Sequence, residues 1–391
     1  MNILYIVQYH DPRIRTGGNE LRTHLLWEVL KKKGRVFTLV INDKQKEKCI
    51  YVDEEHPICF VNLKMTVCWL KIFIYRLINR ISGLPILPMP LVANDRFTEF
   101  FPQKMDVAVC RYIYIFYYFH LWKVLPTIVD IDDSPKQLFG TVTQYTLPRL
   151  LRPIGRWLNL LQTRYVLRNV NGGWISNPDQ LGKFAEKIKL LPNIPIKPSV
   201  DYNPSSQRDN YLFTIGAMGY PPNYMGVDKF LKDVWPSFHK EYPQIRYIIG
   251  GKNAPKEMAD RWNATDGVSY VGFVDDLEEL YAKCIAAVVP IYVGVGTCIK
   301  TMEAMAYSRV CLTTPFGARG LLSDDIRPSN GLCTFRNSSE FVSVCGDLID
   351  GISREEMECG AFRYSKSHYS MEIFANAVDK VLQDFQDINK Q

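Results

Sequence analysis

The stretch A-A-V-V-P-I-Y-V-G-V-G-T-C-I-K-T-M-E-A-M-A runs from Ala286 to Ala306. Its opening run, Ala286–Val289, is apolar and reads as a buried strand. Gly294 and Gly296 make a turn, and Thr297 stands as the N-cap of a helix that carries Lys300 and Glu303. A glycine-lined turn that opens a helix presents free backbone N–H groups and the positive end of the dipole to an anion. Lys300 falls in the first helical turn, where a cation opposes the dipole by about 0.3–1 kcal/mol. A phosphate in front of the helix removes that conflict. Glu303 shares the face of Lys300, about one turn deeper. The competing reading is a surface ion pair, in the poorer Lys-before-Glu order.

Strand candidates precede this stretch at Ile3–Val7, Val36–Ile41, Val107–Cys110, Thr127–Ile131 and Gly173–Ile175. Between the first two, Leu21, Leu25, Leu26, Val29 and Leu30 mark one face of a helix over Asn19–Lys33, which Gly34 ends. Around Ile194–Asn210, prolines, serines and asparagines without periodicity mark a linker. The pattern then restarts. Strands at Tyr211–Ile215, Ile245–Ile249, Val268–Val271, Ala286–Val289 and Val310–Thr313 alternate with helices near Gly226–Phe238, Pro255–Trp262 and Asp276–Cys284. Such alternation predicts an α/β chain with two doubly wound, parallel-sheet (Rossmann-like) domains. They are placed at residues 1–195 and 205–369, with a closing helix within 370–391, about Met371–Phe385, joined to the first. Two such domains face a cleft and bind ligands at the carboxyl ends of their strands.

The 391 residues are 47% hydrophobic and 23% charged, an ordinary globular balance for two cores. No stretch offers the roughly 18–20 uncharged apolar residues of a membrane span. Ile3–Val7, broken at once by Gln8 and His10, reads as a first strand and not as a leader. The ten cysteines have no metal-ligand spacing, and Cys110, Cys284 and Cys311 sit in apolar surroundings, as buried free thiols of a reducing cytosol do. Residues 1–200 carry 28 Lys/Arg against 16 Asp/Glu, whereas residues 201–391 carry 19 against 25. A basic first half suits an anionic partner.

Several segments occur in an order that is specific as a set. They are I-G-A-M-G-Y-P-P-N (215–223), I-I-G-G (248–251), V-S-Y-V-G-F-V-D-D (268–276), G-V-G-T-C-I-K-T-M-E-A-M-A (294–306) and T-P-F-G-A-R-G-L (314–321). T-G-G-N-E-L-R (16–22), I-S-N-P-D (175–179) and L-P-N (191–193) accompany them. With these segments the chain resembles family 4 glycosyltransferases, also called glycosyl transferases group 1, within a subgroup that has G-x-G-T-x-x-K-x-x-E. The resemblance is strongest over about residues 211–325. It implies the GT-B architecture, a nucleotide-sugar donor on the C-terminal domain and an acceptor on the N-terminal one.

Residue by residue, the resemblance implies that Glu303 holds the ribose hydroxyls and that Phe273 and Val274 lie along the base. It sets Gly216, Gly296 and Thr297 near the diphosphate, and Gly17 and Gly18 toward the transferred sugar and diphosphate. Two departures stand out. Val295 occupies the place where many members carry the first of two glutamates, and Met218 and Asn223 stand where many carry Arg and Lys. Lys300 then supplies the missing cation. Arg319 is either a second one or a solvated loop arginine.

The implied chemistry is glycosyl transfer with retention, without metal or cofactor. Fixed N–H groups and cations stabilise the leaving phosphate, which helps to take the acceptor's proton. A UDP-sugar is favoured over a GDP-sugar, and the acceptor would be a glycan or lipid-linked chain in surface polysaccharide biosynthesis. A nucleotide-sugar epimerase or hydrolase, or a non-catalytic nucleotide-sugar-binding protein, are the alternatives on the same architecture.

T-I-V-D-I-D-D-S-P (127–135) is a second constellation. Asp133 or Ser134 caps the following segment, or Asp132 or Asp133 orients the acceptor hydroxyl, or Asp130, Asp132 and Asp133 form a metal or phosphoryl-transfer site. The basic amphipathic segment 64–81 and the arginine-rich segment 149–168 can lie on an anionic membrane surface or pack as ordinary helices with basic outer faces. They suggest a cytoplasmic protein at the inner membrane face. The aromatic run 111–120 can stack sugars or bases but reads first as core and cleft wall, and His10 and His120 are cleft candidates or ordinary structural histidines. Nothing resembles a Walker A loop, a zinc site or a nucleic-acid module.

Overall fold

Apolar runs without alternation belong to strands covered on both faces, and the computed structural model places them so. It describes residues 1–15, 18–41, 48–51, 55–61, 104–113, 125–132, 167–177, 186–195 and 208–388 except 295, 322 and 352, with single positions at 150, 153, 157 and 164. The chain divides into two units, Met1–Leu191 with Ala375–Gln391, and Pro192–Phe374.

In the first unit the strands are β1 (Asn2–Gln8), β2 (Arg35–Ile41), β3 (Lys48–Tyr51), β4 (Pro57–Val61), β5 (Val107–Arg111), β6 (Thr127–Asp132), β7 (Gly172–Ile175) and β8 (Ile188–Leu190). They form one sheet in the order β3-β4-β2-β1-β5-β6-β7-β8. Ile3 lies opposite Val36 on one side and Val107 on the other, both in parallel register. The β3–β4 pair differs, being antiparallel. β3, β4 and β8 are absent from the sequence expectation; β3 and β8 each include a lysine that breaks an apolar run. Helix α1 (Gly18–Lys31) buries Leu26, Val29 and Leu30 and ends a turn before Gly34. Cys110 is a buried free thiol, but Cys59, opposite Cys49 in the antiparallel ladder, is disulfide-bonded.

The second unit holds β9 (Tyr211–Ile215), β10 (Arg246–Gly250), β11 (Val268–Gly272), β12 (Ala286–Val289), β13 (Cys311–Thr313) and β14 (Leu332–Thr334), all parallel, in the order β11-β10-β9-β12-β13-β14. The single helix expected over Gly226–Phe238 is two, α2 (Pro221–Asp233) and α3 (Trp235–Glu241). Pro236 has no N–H to give the preceding turn, so the helix breaks at Val234 and restarts with proline in its first turn. Phe230 of α2 and Phe238 of α3 each meet Phe341, in the helix Ser338–Ile349, edge-on at 5.0 and 5.2 Å, so these helices pack on one another. Helices α4 (Lys256–Asn263), α5 (Leu277–Lys283) and α6 (Ile299–Ala306) follow β10, β11 and β12.

Helices α7 (Ser338–Ile349) and α8 (Arg354–His368) extend the unit beyond the expected elements. α7 had a legible start. Asn337 accepts from the Glu340 N–H, and Glu340 accepts from the Arg336 N–H, a near relative of the capping box. The last helix, α9 (Met371–Ile388), buries Val378, Val381 and Phe385. Its Ala377 carbonyl accepts from Trp174 Nε1 at 3.2 Å, and its Asp379 pairs with Lys33 at 2.7 Å. Among the described residues no helix is long and apolar enough to cross a membrane.

Two loops of the second sheet touch through main chain alone. Gly251 has φ +132°, and a Cβ there would fall 1.6 Å from the Gly216 carbonyl oxygen. Gly251→Ala is therefore expected to lose more stability than the ~1–3 kcal/mol of a strained backbone conformation. A thermal melt at the wild-type Tm would refute that close approach.

Candidate functional site

In an open parallel sheet, ligands bind where the strand order reverses, because the loops from the two central strands leave in opposite directions. In the second unit that place lies between β9 and β12. Gly216 follows β9, and the turn from Pro290 follows β12. Threonines brace the exit from β12. Thr313 Oγ1 donates to the Val289 carbonyl at 2.9 Å, and Thr314 Oγ1 donates to the Ile291 carbonyl. Thr301 Oγ1 in α6 donates to the Gly317 carbonyl at 2.8 Å, tying the helix to the loop after β13.

The helix start differs from the sequence expectation. Cys298, not Thr297, is the N-cap of α6, and no side chain caps it. The Thr297 hydroxyl is occupied elsewhere, accepting from Asn193 Nδ2 at 2.5 Å. The first turn of α6 holds no acidic residue. Its positive end therefore remains open to an anion. Gly296 adopts φ +72° just before it.

Lys300 lies across this gap. Its ammonium donates to Asn223 Oδ1 at 3.0 Å, and a Cβ on Gly216 would fall 2.5 Å from Lys300 Cε. Asn223 is buried, and its Nδ2 donates to the Ala217 carbonyl at 2.8 Å. Asn223 thus bridges the β9 loop and the ammonium. Met218 is fully buried in the core, so its position holds no group for a ligand. Lys300, Asn223, Met218, Thr214, Pro290 and Ile291 line a small pocket here.

Glu303 sits one turn deeper. Its Oε1 accepts from the Tyr281 hydroxyl at 3.0 Å. Burial pushes its carboxyl above the usual range, although the Tyr281 hydrogen bond and the Lys300 charge pull it back. Phe273 is 57% exposed beyond β11, with the Lys252 ammonium 3.7 Å from its ring centroid. Val274 packs on Gly250, leaving no room for a Cβ there. Arg319 lies against the glycine turn, with Nη2 at 3.2 Å from where a Gly294 Cβ would be, and its Nη1 donates to the Phe316 carbonyl at 3.0 Å. Gly216, Phe273, Val274, Gly296, Thr297 and Lys300 stand on loops or at a helix start at one edge of one sheet, with Glu303 a turn inside α6. Tyr281 was missed in the sequence, and only its proximity in space reveals it.

The aspartates of the first unit have a different setting. Asp130 is fully buried and receives Arg22 Nη2 at 2.7 Å together with Arg111 Nη1. Burial opposes its ionisation, but Arg22 and Arg111 outweigh it and hold the carboxyl below its usual range. Asp132 accepts from Arg111 Nη2 at 3.2 Å and takes φ +59°. Asp132 thus sits with Asp130 in a buried, charge-balanced cluster with two arginines. Among the described residues no group of His, Cys, Asp and Glu is placed to hold a metal. Gly18 opens α1, and His10 lies 3.3 Å from Glu20. Gly17, Asp133, Ser134, His120, Val295 and segment 64–81 lie outside the described residues, as does most of 149–168.

Residues 209–350 match the model of the family described as glycosyl transferases group 1. A Klebsiella pneumoniae protein described as an uncharacterized 44.6 kDa protein in cps region is 22% identical over 256 residues, covering 61% of this chain and 64% of its own length. Two solved structures extend the likeness over nearly the whole chain. The E. coli trehalose-6-phosphate structure bound with UDP-2-fluoro glucose has a TM-score of 0.62 at 9% identity, covering 97% of this chain and 99% of its own. Anabaena HepE in complex with UDP has a TM-score of 0.60 at 13% identity, covering 98% and 100%. At these identities the likeness establishes the fold. The chain has the GT-B architecture of two parallel-sheet α/β domains, one with an antiparallel edge strand.

A raised carboxyl has a stability consequence. Above the usual carboxylate range the folded protein holds the Glu303 proton more tightly than the unfolded chain, so stability falls as pH rises through that window. The full penalty is present once Glu303 is ionised. In the ligand-free protein, Glu303→Gln is expected to raise Tm at neutral pH, with the gain vanishing as pH falls below the usual carboxylate value. A Tm unchanged at all pH values would show that Glu303 is not strained by burial.

Proposed function

We propose that this protein is a glycosyltransferase that takes a sugar from a nucleoside diphosphate and passes it to a glycan or lipid-linked acceptor. The observation that carries it is the meeting of the Lys300 ammonium, the Gly216 loop and the uncapped start of α6 at one switch point, with Glu303 a turn deeper. The family match over residues 209–350 covers this same site.

In this reading the diphosphate lies on the N–H groups at the start of α6 and beside Lys300, which stabilises the charge that develops on the leaving phosphate. Glu303 holds the ribose hydroxyls, Phe273 and Val274 border the base, and Gly216 lets the main chain approach the phosphates. Transfer is retaining and needs no metal. The leaving phosphate receives the acceptor's proton, so no protein nucleophile takes part. UDP is the favoured nucleotide, since two structural relatives hold UDP or a UDP-sugar. A role in surface polysaccharide synthesis suits the relative whose name places it in a cps region.

The test is a thermal-shift and turnover panel of UDP, GDP and their sugars, with EDTA present. Glu303→Ala is expected to weaken nucleotide binding by roughly 1.5–3 kcal/mol, the worth of hydrogen bonds to a charged group. Lys300→Ala is expected to slow turnover more than it weakens binding. Stabilisation by no nucleotide would sink the proposal, and donor consumed without a new glycoside would replace it with an epimerase or hydrolase.

We also propose peripheral attachment on the cytoplasmic side of a membrane. Leu150, Trp157, Arg164 and Arg168 are exposed. Flotation with liposomes is expected to increase with anionic lipid content, and equal flotation with neutral vesicles would refute it.

A further inference from the structure

Tyr281 is a buried phenol whose hydroxyl meets a carboxylate of the donor site. It lies in α5 at 1% exposure, and its hydroxyl donates to Glu303 Oε1 at 3.0 Å. The ring has little freedom. It stacks on Tyr307 with centroids 4.3 Å apart and planes at 11°, and it meets Phe213 edge-on at 5.2 Å. Its main chain is fixed too, since the Tyr281 carbonyl accepts from Arg309 Nε at 2.6 Å. A hydroxyl on so constrained a ring has a fixed direction, so it fixes the carboxylate oxygen it meets. Burial, and then the Glu303 charge, push this phenol far above its ordinary range, so it keeps its proton and serves Glu303 as a donor.

The groups that face Glu303 come from two elements. Tyr281 stands on α5, Lys300 on α6, and Tyr307 at the end of α6. Asp276 and Glu278, at the start of α5, act on Tyr307 from farther out. Tyr281 is the member of this set that hydrogen-bonds the carboxylate directly.

We infer that Tyr281 is a positioning residue for ribose recognition: it anchors Oε1 of Glu303 and turns Oε2 toward the 2′- and 3′-hydroxyls of a nucleoside diphosphate. The inference rests on the assignment of Glu303 as the ribose ligand. It adds that selection for the cis-diol depends on a phenol that never touches the ligand. Without the hydroxyl, the buried carboxylate takes up its proton at higher pH, and a protonated Glu303 accepts the diol poorly.

The experiment is calorimetric titration of the full chain with UDP and GDP, each against its 2′,3′-dideoxy form, from pH 5.5 to 8. The ratio of ribo to dideoxy affinity isolates the diol, because phosphate ionisation cancels. Wild type is expected to prefer the ribo form, with the preference falling on acidification as Glu303 protonates. Tyr281→Phe is expected to lose about tenfold of that preference at neutral pH, the lower end for a hydrogen bond to a charged group. Its remaining preference should fall at higher pH than in wild type. In Glu303→Ala the preference is already gone, and adding Tyr281→Phe should change it no further.

Should the phenylalanine variant not fold, 3-fluorotyrosine at position 281 gives the opposite sign. It is a stronger donor of nearly the same size, and it is expected to move the midpoint to lower pH. A Tyr281→Phe protein that loses ribo and dideoxy affinity in parallel, or whose midpoint does not move, overturns the inference and leaves the ribose assignment standing. A wild type that binds both forms equally, or binds neither nucleotide, overturns that assignment and the inference with it.

Discussion

The hydrogen bond from the Lys300 ammonium to Asn223 joins two halves of a sheet that have no loop in common. Lys300 belongs to the helix that leaves β12, and Asn223 to the helix that leaves β9. Strands β9 and β12 are neighbours, and their helices diverge, so a gap at their carboxyl ends is a consequence of topology. Something must face the gap. Here it is a cation held over a glycine, with a helix start that lacks a side-chain cap close by. The core beneath, from Leu212 to Val288, serves to keep these strands adjacent.

Charge at the strand ends of the first unit and at the candidate site of the second is arranged in opposite ways, although the second unit has its own buried pairing of Arg208 and Arg309 with Glu358. In the first, Arg22, Arg111, Asp130 and Asp132 are buried together and satisfy one another. Such a cluster contributes little net stability over an apolar one, but losing any member strands a buried charge. It therefore fixes the carboxyl ends of β5 and β6 relative to α1. In the second unit, Lys300 and Glu303 lie on one helix face but make hydrogen bonds to uncharged partners, Asn223 and Tyr281. A cation and an anion held apart on neutral supports keep capacity for a charged, hydroxylated ligand. Paired groups would have spent it.

Much of this was legible in the chain. Continuous apolar runs such as Ile3–Val7 and Ala286–Val289 announced strands covered on both faces, and the glycines before Lys300 announced a turn into a helix. The misses have physical causes. Strands β3 and β8 each include a lysine, which breaks the continuous apolar run that marked the other strands. The break between α2 and α3 was signalled by Pro236, within a segment read as one helix. Tyr281 reaches Glu303 across 22 positions, and Asn223 reaches Lys300 across 77. No local pattern encodes such meetings. Asn223 read as a cation lost from its loop, whereas the structure makes it the acceptor for a cation that comes from elsewhere. Asp132 does end its strand, but its pairing with Arg22 and Arg111 joins residues too distant in sequence to be read locally.

The threonine braces at the exit of β12 bear on how a ligand is met. Thr313 and Thr314 hold the Val289 and Ile291 carbonyls before any ligand arrives. Fixing a residue's backbone takes roughly 1–2 kcal/mol of conformational entropy, and here that loss falls on folding instead of association. Two hydroxyls bonded to main-chain carbonyls thus move part of the ordering cost from capture to folding. Replacing either with valine would keep the shape of the core and free the segment above it, so that each encounter would have to order the chain anew.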